Sequence, residues 1–140
     1  MVEGKVVVVK GKRKSAVARG VVMPGEGRIK INSIPFELWG TEIMRMRVIE
    51  PLILAGDLAK KVNFEIKVKG GGITGQSDAV RMVIARGLVE FFKSEELKQK
   101  FLQYDRNLLV VDYRRNEPHH ASGRGASKRG SRRHKQRSKR

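Results

Sequence analysis

The last fifth of the chain cannot contribute to a hydrophobic core. Residues 113–140 contain no Val, Ile, Leu, Met, Phe or Trp, and Tyr113, Ala121 and Ala126 are their only residues suited to burial. Burial of apolar surface must offset the conformational entropy that a chain loses when it becomes ordered. We therefore expect residues 113–140 to form an extended tail that is disordered when free, and the globular domain to be confined to residues 1–112.

Positive charge is concentrated in the same tail. The chain has 31 Lys and Arg against 14 Asp and Glu, a net charge of +17, and residues 113–140 hold 11 of the basic residues and one acidic residue, a net +10. Dense blocks of like charge repel one another and usually meet a surface of opposite sign. The pattern favours a nucleic acid as partner. A tail that only keeps the protein in solution is the alternative.

Several classes of protein are disfavoured by composition. Without Cys the chain has no disulfide framework, no thiolate nucleophile and no thiolate-bound zinc, which suits a reducing compartment. No apolar run approaches the ~18 residues of a membrane span. The N-terminus leads directly into Val6–Val9 and is too short for a signal peptide. We expect an intracellular, soluble protein with no membrane partner.

The residues that could carry catalysis are scattered. His119, His120 and His134 lie in the tail, with no Cys or carboxylate at the spacing of metal ligands. No grouping of Ser, His and Asp or of metal-binding carboxylates is apparent. We therefore predict no enzyme activity, no metal, no cofactor and no small-molecule substrate.

Strand patterns occupy the first half of the domain and recur once later. Val6–Val9 and Ala16–Met23 are rich in residues with strand propensity and are predicted to pair as a hairpin across a basic turn, Lys10–Lys14. Residues 28–32 and 62–69 alternate polar and apolar side chains, which is typical of strands with one face exposed to water.

Helix patterns follow. Residues 41–50 predict a helix that Pro51 kinks or restarts before Gly56 ends it. Residues 76–92 predict the principal core helix, and Ser94 is a predicted N-cap of another. Together the elements predict a two-layer α+β domain in which helices cover one face of a small, mostly antiparallel, four-stranded sheet.

Two loops are candidate contacts for phosphate. The predicted hairpin carries Lys12, Arg13, Lys14 and Arg19, although lysines at such a place can also protect a sheet edge from pairing. The Gly70–Gln76 loop lies between a strand and a helix, where backbone amides can face phosphate. It lacks the Gly-Lys-Ser/Thr ending of a nucleotide-binding loop, and a tight turn that needs positive φ is the alternative.

The chain carries an ordered set of short motifs. They are Gly11-Lys12-Arg13-Lys14-x-Ala16-x-Ala18-Arg19, Gly25-x-Gly27-Arg28-Ile29 with Asn32, the Gly70-to-Gln76 loop followed by Ala79, Ala85 and Arg86, Asp112-x-Arg114-x-x-Glu117, and the ending Ser138-Lys139-Arg140. In this order they resemble the universal family of the ninth protein of the small ribosomal subunit, over nearly the whole chain. The stretch from Glu50 to Gly56 is more similar to the archaeal branch than to the bacterial one. Val83 departs from the family, which usually has a smaller residue there, and we expect it to loosen helix packing.

The resemblance implies a fold and a function. The implied order is three strands, helix, strand, helix (β-β-β-α-β-α), with a left-handed crossover. The implied role is that of a structural constituent of the head of the small ribosomal subunit, which binds ribosomal RNA next to other head proteins and sends its tail to the peptidyl-site tRNA. A non-ribosomal RNA-binding or chromatin-type protein is the alternative.

These expectations define a set of contact residues. We predict that ribosomal RNA contacts Lys12, Arg13, Lys14, Arg19, Gly70, Gly71, Gly72, Gln76, Arg114, Arg115, Arg124, Lys128, Arg129, Arg132, Arg133, Lys135 and Arg137. The resemblance implies that Ser138, Lys139 and Arg140 approach the tRNA.

Overall fold

Five strands form one sheet in the computed structural model of the chain, which describes residues 4–115. They are β1 (Val7–Arg13), β2 (Ala16–Pro24), β3 (Ile29–Ile31), β4 (Ile34–Pro35) and β5 (Val62–Lys69), in the spatial order β1-β2-β5-β3-β4. All neighbours are antiparallel except β3 and β5, which run parallel. The mixed α+β class is confirmed.

The predicted count of four strands is wrong because a very short hairpin adds a fifth. Asn32 and Ser33 both have positive φ, 51° and 67°, so the chain reverses within two residues and Ile34 pairs with Ile31. Positive φ at both central residues matches the twist of flanking strands. Pro35 cannot donate a ladder hydrogen bond, which is tolerated in an edge strand such as β4.

Three α-helices accompany the sheet: α1 (Glu42–Ala55), α2 (Ile73–Phe92) and α3 (Glu95–Tyr104), with 3-10 turns at Phe36–Leu38, Gly56–Lys61 and Arg106–Leu108. Thr41 and Ser94 cap α1 and α3 by accepting from the N–H groups of Met44 and Leu97. The helix α1 continues through Pro51 instead of restarting there. The Pro51 ring is buried, so its packing offsets the lost backbone hydrogen bond.

The core lies between the sheet and α2. Alternate residues of β5, from Val62 to Val68, are buried, while the residues between them face outward, as the sequence predicts. The helix α2 crosses the sheet at close range because Gly11 and Gly20 have no side chain: a Cβ on Gly20 would lie 2.4 Å from Val83 Cγ1. Val83 is itself fully buried, which does not fit the looser packing expected of it.

Candidate nucleic-acid interface

The β1–β2 hairpin is longer than predicted, and this decides which way its cations point. The strand β1 continues to Arg13, and the turn is reduced to Lys14 and Ser15, with Lys14 at a φ of 52°. The prediction of a basic turn over Lys10–Lys14 is therefore wrong. Because side chains alternate along a strand, Lys10 and Lys12 fall on the outer face, opposite to buried Val9 and Gly11.

We call the outer face of the sheet, carrying Lys10, Lys12, Arg19, Lys30, Lys67 and Lys69, the basic sheet face. Its cations are aligned by strand register: Lys10 pairs with Arg19, and Arg19 pairs with Lys67 on the next strand. Neighbouring strands lie about 4.8 Å apart, so this row places three cations within about 10 Å.

No carboxylate neutralises the basic sheet face within the described residues. None of its six cations lies within ion-pair distance of an Asp or Glu. Among the outward positions of β1, β2, β3 and β5, the one acidic residue is Glu65. It lies on β5 and pairs in register with Lys30 on β3. Like charges directly opposite one another destabilise a sheet. Repulsion within this row therefore destabilises the isolated fold, and a bound polyanion would remove that repulsion.

The glycine loop lies under the tip of the hairpin. Gly70 and Gly71 have φ values of 74° and 68°, and a Cβ on Gly70 would come within 2.7 Å of the Ser15 carbonyl oxygen. Gln76 donates through Nε2 to the Gly70 carbonyl at 3.2 Å, so its amide holds the loop in place. The predicted tight turn with positive φ is therefore present, and it is compatible with backbone amides that face phosphate.

The loop also leaves the start of α2 open. Gly72 is the N-cap and supplies no side-chain hydrogen bond, and the first turn of α2 contains no acidic residue. The backbone N–H groups of such a turn, with the positive end of the helix dipole, can bind an anion. This helix start and the exposed Lys14 lie at the same end of the molecule, since the loop contacts the hairpin tip.

Arg13 differs from the other predicted contacts in the hairpin. It points inward and pairs with Asp112, and its Nε lies 3.6 Å from Asp78. Asp112 also accepts a hydrogen bond from the Arg114 N–H at 2.9 Å. Arg13 thus attaches the beginning of the C-terminal segment to the hairpin, and Arg114 and Arg115 extend from there as exposed residues.

Arg86 makes a second attachment of the same segment. Its Nε donates to the Leu109 carbonyl and its Nη1 to the Lys10 carbonyl, both at 2.8 Å. Leu108 is fully buried beside this point. The chain therefore leaves the folded part next to β1 and the hairpin that carries Lys12 and Lys14.

Arg81 and Arg47 belong to an internal network on the helical side. Arg81 lies 2.5 Å from Glu50 and 3.0 Å from Asp105, and Arg47 lies 2.7 Å from Asp78. These arginines are neutralised by the protein itself. In the described part of the chain, no group of three or more His, Cys, Asp or Glu has a geometry suited to a metal ion.

Ten of the predicted tail contacts lie outside the described residues: Arg124, Lys128, Arg129, Arg132, Arg133, Lys135, Arg137, Ser138, Lys139 and Arg140. Among residues 4–115, no helix is long and apolar enough to cross a membrane.

The sequence interpretation did not include Lys10, Lys30, Lys67 and Lys69 as contacts. The alternation in residues 62–69 already places Lys67 and Lys69 on the exposed side of a strand. What the sequence does not indicate is that β5 lies next to β2, which aligns Lys67 with Arg19. Knowledge that β5 pairs with β2 would have been needed to predict this row of cations.

Comparison with known proteins gives a consistent result. The family model described as ribosomal protein S9/S16 matches residues 11–140. Small ribosomal subunit protein uS9 of the archaeon Desulfurococcus amylolyticus is 52% identical over 114 residues, 81% of each chain. The uS9 proteins of Pyrobaculum aerophilum (53% over 113 residues, 81% of this chain and 80% of that one) and Thermoplasma volcanium (52% over 120 residues, 86% and 91%) are similarly related. The archaeal resemblance is confirmed.

Proposed function

Because this chain belongs to the ribosomal protein S9/S16 family, we propose that its folded part binds small-subunit ribosomal RNA through the basic sheet face. The chain is a structural, non-enzymatic protein of the small ribosomal subunit, where it takes part in translation in the cytoplasmic ribosome. Membership of the family does not say which surface of this chain contacts RNA. We choose that surface from the distribution of charge on the folded part.

The row Lys10, Arg19 and Lys67 is the observation that carries the proposal. Three cations aligned across adjacent strands, with no carboxylate partner in residues 4–115, are unfavourable unless an anion lies over them. Phosphates of an RNA backbone supply that anion, and binding releases their condensed counterions. Such contacts fix the position of the protein without reading base sequence.

A second phosphate contact is proposed at the hairpin end. Lys12 and Lys69 occupy outward positions on either side of Val17, in the row nearest the turn. The uncapped start of α2 lies close by and offers backbone N–H groups. Lysine acts as a flexible point charge, so this end tolerates variation in the path of the RNA backbone.

The tail is proposed to continue from this end along ribosomal RNA. Its high density of cations and the attachment of its root beside the hairpin, through Asp112 and Arg13, support that direction. The family resemblance supports a contact of Ser138, Lys139 and Arg140 with the peptidyl-site tRNA. Arg140 is the best suited of the three, because a guanidinium can donate two parallel hydrogen bonds to one phosphate.

Salt-dependent binding tests the RNA-binding role. If about six phosphates are engaged, affinity for the cognate ribosomal RNA falls about 10³-fold or more between 50 and 200 mM salt. A nearly flat response would contradict phosphate binding. Cofractionation of the full chain with small subunits at moderate salt separates the ribosomal role from a general nucleic-acid-binding role, for which the chain would appear only in other fractions.

Truncation tests the tRNA contact separately. Removal of residues 138–140 is expected to leave subunit assembly intact and to weaken retention of tRNA in the peptidyl site. Arg114→Gln with Arg115→Gln at the tail's root is a matched control, because it removes two charges near the hairpin and keeps the length of the tail. Unchanged tRNA retention and initiation fidelity after loss of residues 138–140 would contradict the tRNA role.

A further inference from the structure

The helix α1 is apolar on two opposite sides. Its buried side, formed by Met44, Val48, Pro51 and Ala55, belongs to the hydrophobic core. Rotation by about 100° per residue places Ile43, Met46, Ile49 and Ile53 on the opposite side of the helix. A helix with apolar residues all round is normally buried on all sides.

This second side is exposed to solvent in the folded chain. The exposed fractions are 72% for Ile43, 58% for Met46 and 71% for Ile53, and 38% for Ile49. Leu38, in the 3-10 turn before the helix, is 74% exposed. We call these five residues the α1 stripe. Contiguous exposed apolar surface on a soluble protein usually marks an interaction site.

The charges beside the α1 stripe favour a protein over RNA as its partner. Arg45 donates to the carbonyl oxygens of Trp39 and Gly40, and Arg47 pairs with Asp78, so both arginines of the helix have acceptors in the protein. Glu37 and Glu42 are exposed and have no ion-pair partner in the described part of the chain. They adjoin Leu38 and Ile43 in sequence. Backbone carbonyls leave the charge of Arg45 in place, so Glu37 and Glu42 together exceed it by one negative charge, whereas the basic sheet face carries an excess of cations.

We propose that the α1 stripe docks an amphipathic segment of a neighbouring small-subunit protein, with apolar side chains on the stripe and Lys or Arg beside Glu37 and Glu42. The choice of occupant follows from charge complementarity: an apolar strip bordered by carboxylates that have no ion-pair partner among residues 4–115 matches an apolar segment bordered by cations. The inference rests on the proposed ribosomal function, because that function supplies the neighbour.

Site-specific crosslinking tests the contact in assembled particles. The full-length chain carries a photoreactive amino acid in place of Met46 or, as a matched control, Lys67, and is assembled into small subunits. We expect Met46→p-benzoylphenylalanine to give an adduct that mass spectrometry maps to an apolar protein segment bordered by Lys or Arg. Lys67→p-benzoylphenylalanine is expected to crosslink to ribosomal RNA.

Charge reversal distinguishes specific docking from incidental proximity. Glu42→Lys in the Met46-labelled chain is expected to reduce the adduct yield about tenfold, since like charges across an interface are strongly unfavourable. Glu96→Lys, an exposed carboxylate of α3 without an ion-pair partner in residues 4–115, is expected to leave the yield unchanged. Both residues are exposed, so thermal unfolding of the free chain serves as a check that each variant folds.

The failures of the two proposals are distinguishable. A chain absent from small subunits would contradict the ribosomal function. A chain present in the subunits whose position 46 crosslinks to ribosomal RNA, to a second copy of itself or to nothing would contradict the docking proposal alone. An adduct whose yield does not change with Glu42→Lys would also contradict it.

Discussion

The basic sheet face and the α1 stripe show how one small layered fold can present two surfaces with opposite chemistry. On the sheet face, the cations have no carboxylate partner among the described residues. Glu65 is the one negatively charged residue on that face of the described strands. On the helical side, all four arginines of α1 and α2 donate to acceptors within the protein. The proposed interface is therefore chosen by the alignment of unpaired cations across neighbouring strands and not by the net charge.

The largest expected effect comes from removing the unpaired row. Lys10→Gln, Arg19→Gln and Lys67→Gln together are expected to lower affinity for ribosomal RNA about 10²- to 10³-fold near 0.1 M salt, and to reduce the salt slope by about 2 to 3. Stability should stay the same or rise slightly, since cross-strand repulsion is relieved. Filter binding over a salt series measures both affinity and slope.

The matched control removes the same charge from the other layer. Lys93→Gln, Lys98→Gln and Lys100→Gln change three lysines at or in α3. We expect at most a small loss of affinity, because these residues lie away from the sheet face. Equal losses for the two triple variants would mean that binding depends on net charge alone, which would contradict the assignment of the basic sheet face as the RNA-binding surface.

The internal network is expected to matter for stability instead. The Arg81 side chain is 13% exposed and faces the carboxylates of Glu50 and Asp105, each 31% exposed. Arg81→Met leaves both carboxylates without their partner, and we expect a loss of about 2–3 kcal/mol in the free energy of unfolding. Arg19→Met on the sheet face should change it by no more than about 0.5 kcal/mol. Urea denaturation measures both, and equal effects would contradict the division into paired and free cations.

Two neighbouring residues of the β1–β2 hairpin test the same difference between unpaired and paired cations. Lys12 and Arg13 are adjacent, yet they lie on opposite faces of β1, and Arg13 is paired with Asp112. Lys12→Gln is expected to lower the salt slope for RNA binding by about 0.7 to 0.9 with little change in stability. Arg13→Gln is expected to lower the free energy of unfolding by about 1–2 kcal/mol. A larger loss of RNA affinity for Arg13→Gln than for Lys12→Gln would contradict this division of roles.

The smallest expected effect concerns an exposed pair on α3. The hydrogen bond and the charge of Lys98 hold the pKa of Glu95 below its usual value. Because the folded pKa is lowered, the pair stabilises the fold above the unfolded pKa of about 4.3, and this is lost as pH falls through the folded pKa. We expect Lys98→Gln to return the pKa of Glu95 towards the ordinary value in an NMR titration. An unchanged pKa would contradict this assignment.

Local patterns predicted most of the secondary structure. Alternation in residues 62–69 gave both the bounds and the buried face of β5, because a half-buried strand imposes its period on the sequence. Ser94 followed by two glutamates similarly predicted the start of α3. The two-residue strand β4 was missed because it depends on positive φ at Asn32 and Ser33. A short polar stretch in the sequence does not indicate that conformation.

The candidate site was less predictable because it depends on pairing between distant segments. Lys67 becomes part of a row only because β5 lies beside β2, where its partner Arg19 is 48 positions earlier in the chain. Arg13 was predicted to contact phosphate, but its strand position turns it toward Asp112, a residue far along the chain. Neither relation is encoded in a local pattern, whereas the high cation density of residues 113–140 is visible directly.

Lysine footprinting tests most directly whether the unpaired face is the one that meets RNA. The free chain and its complex with the cognate ribosomal RNA are treated with an amine-reactive reagent, and modification is measured for each lysine by mass spectrometry. We expect Lys10, Lys67 and Lys69 to be protected by RNA, and Lys93 and Lys100 to stay reactive. Uniform protection of all five, or protection of Lys93 and Lys100 alone, would contradict the assignment.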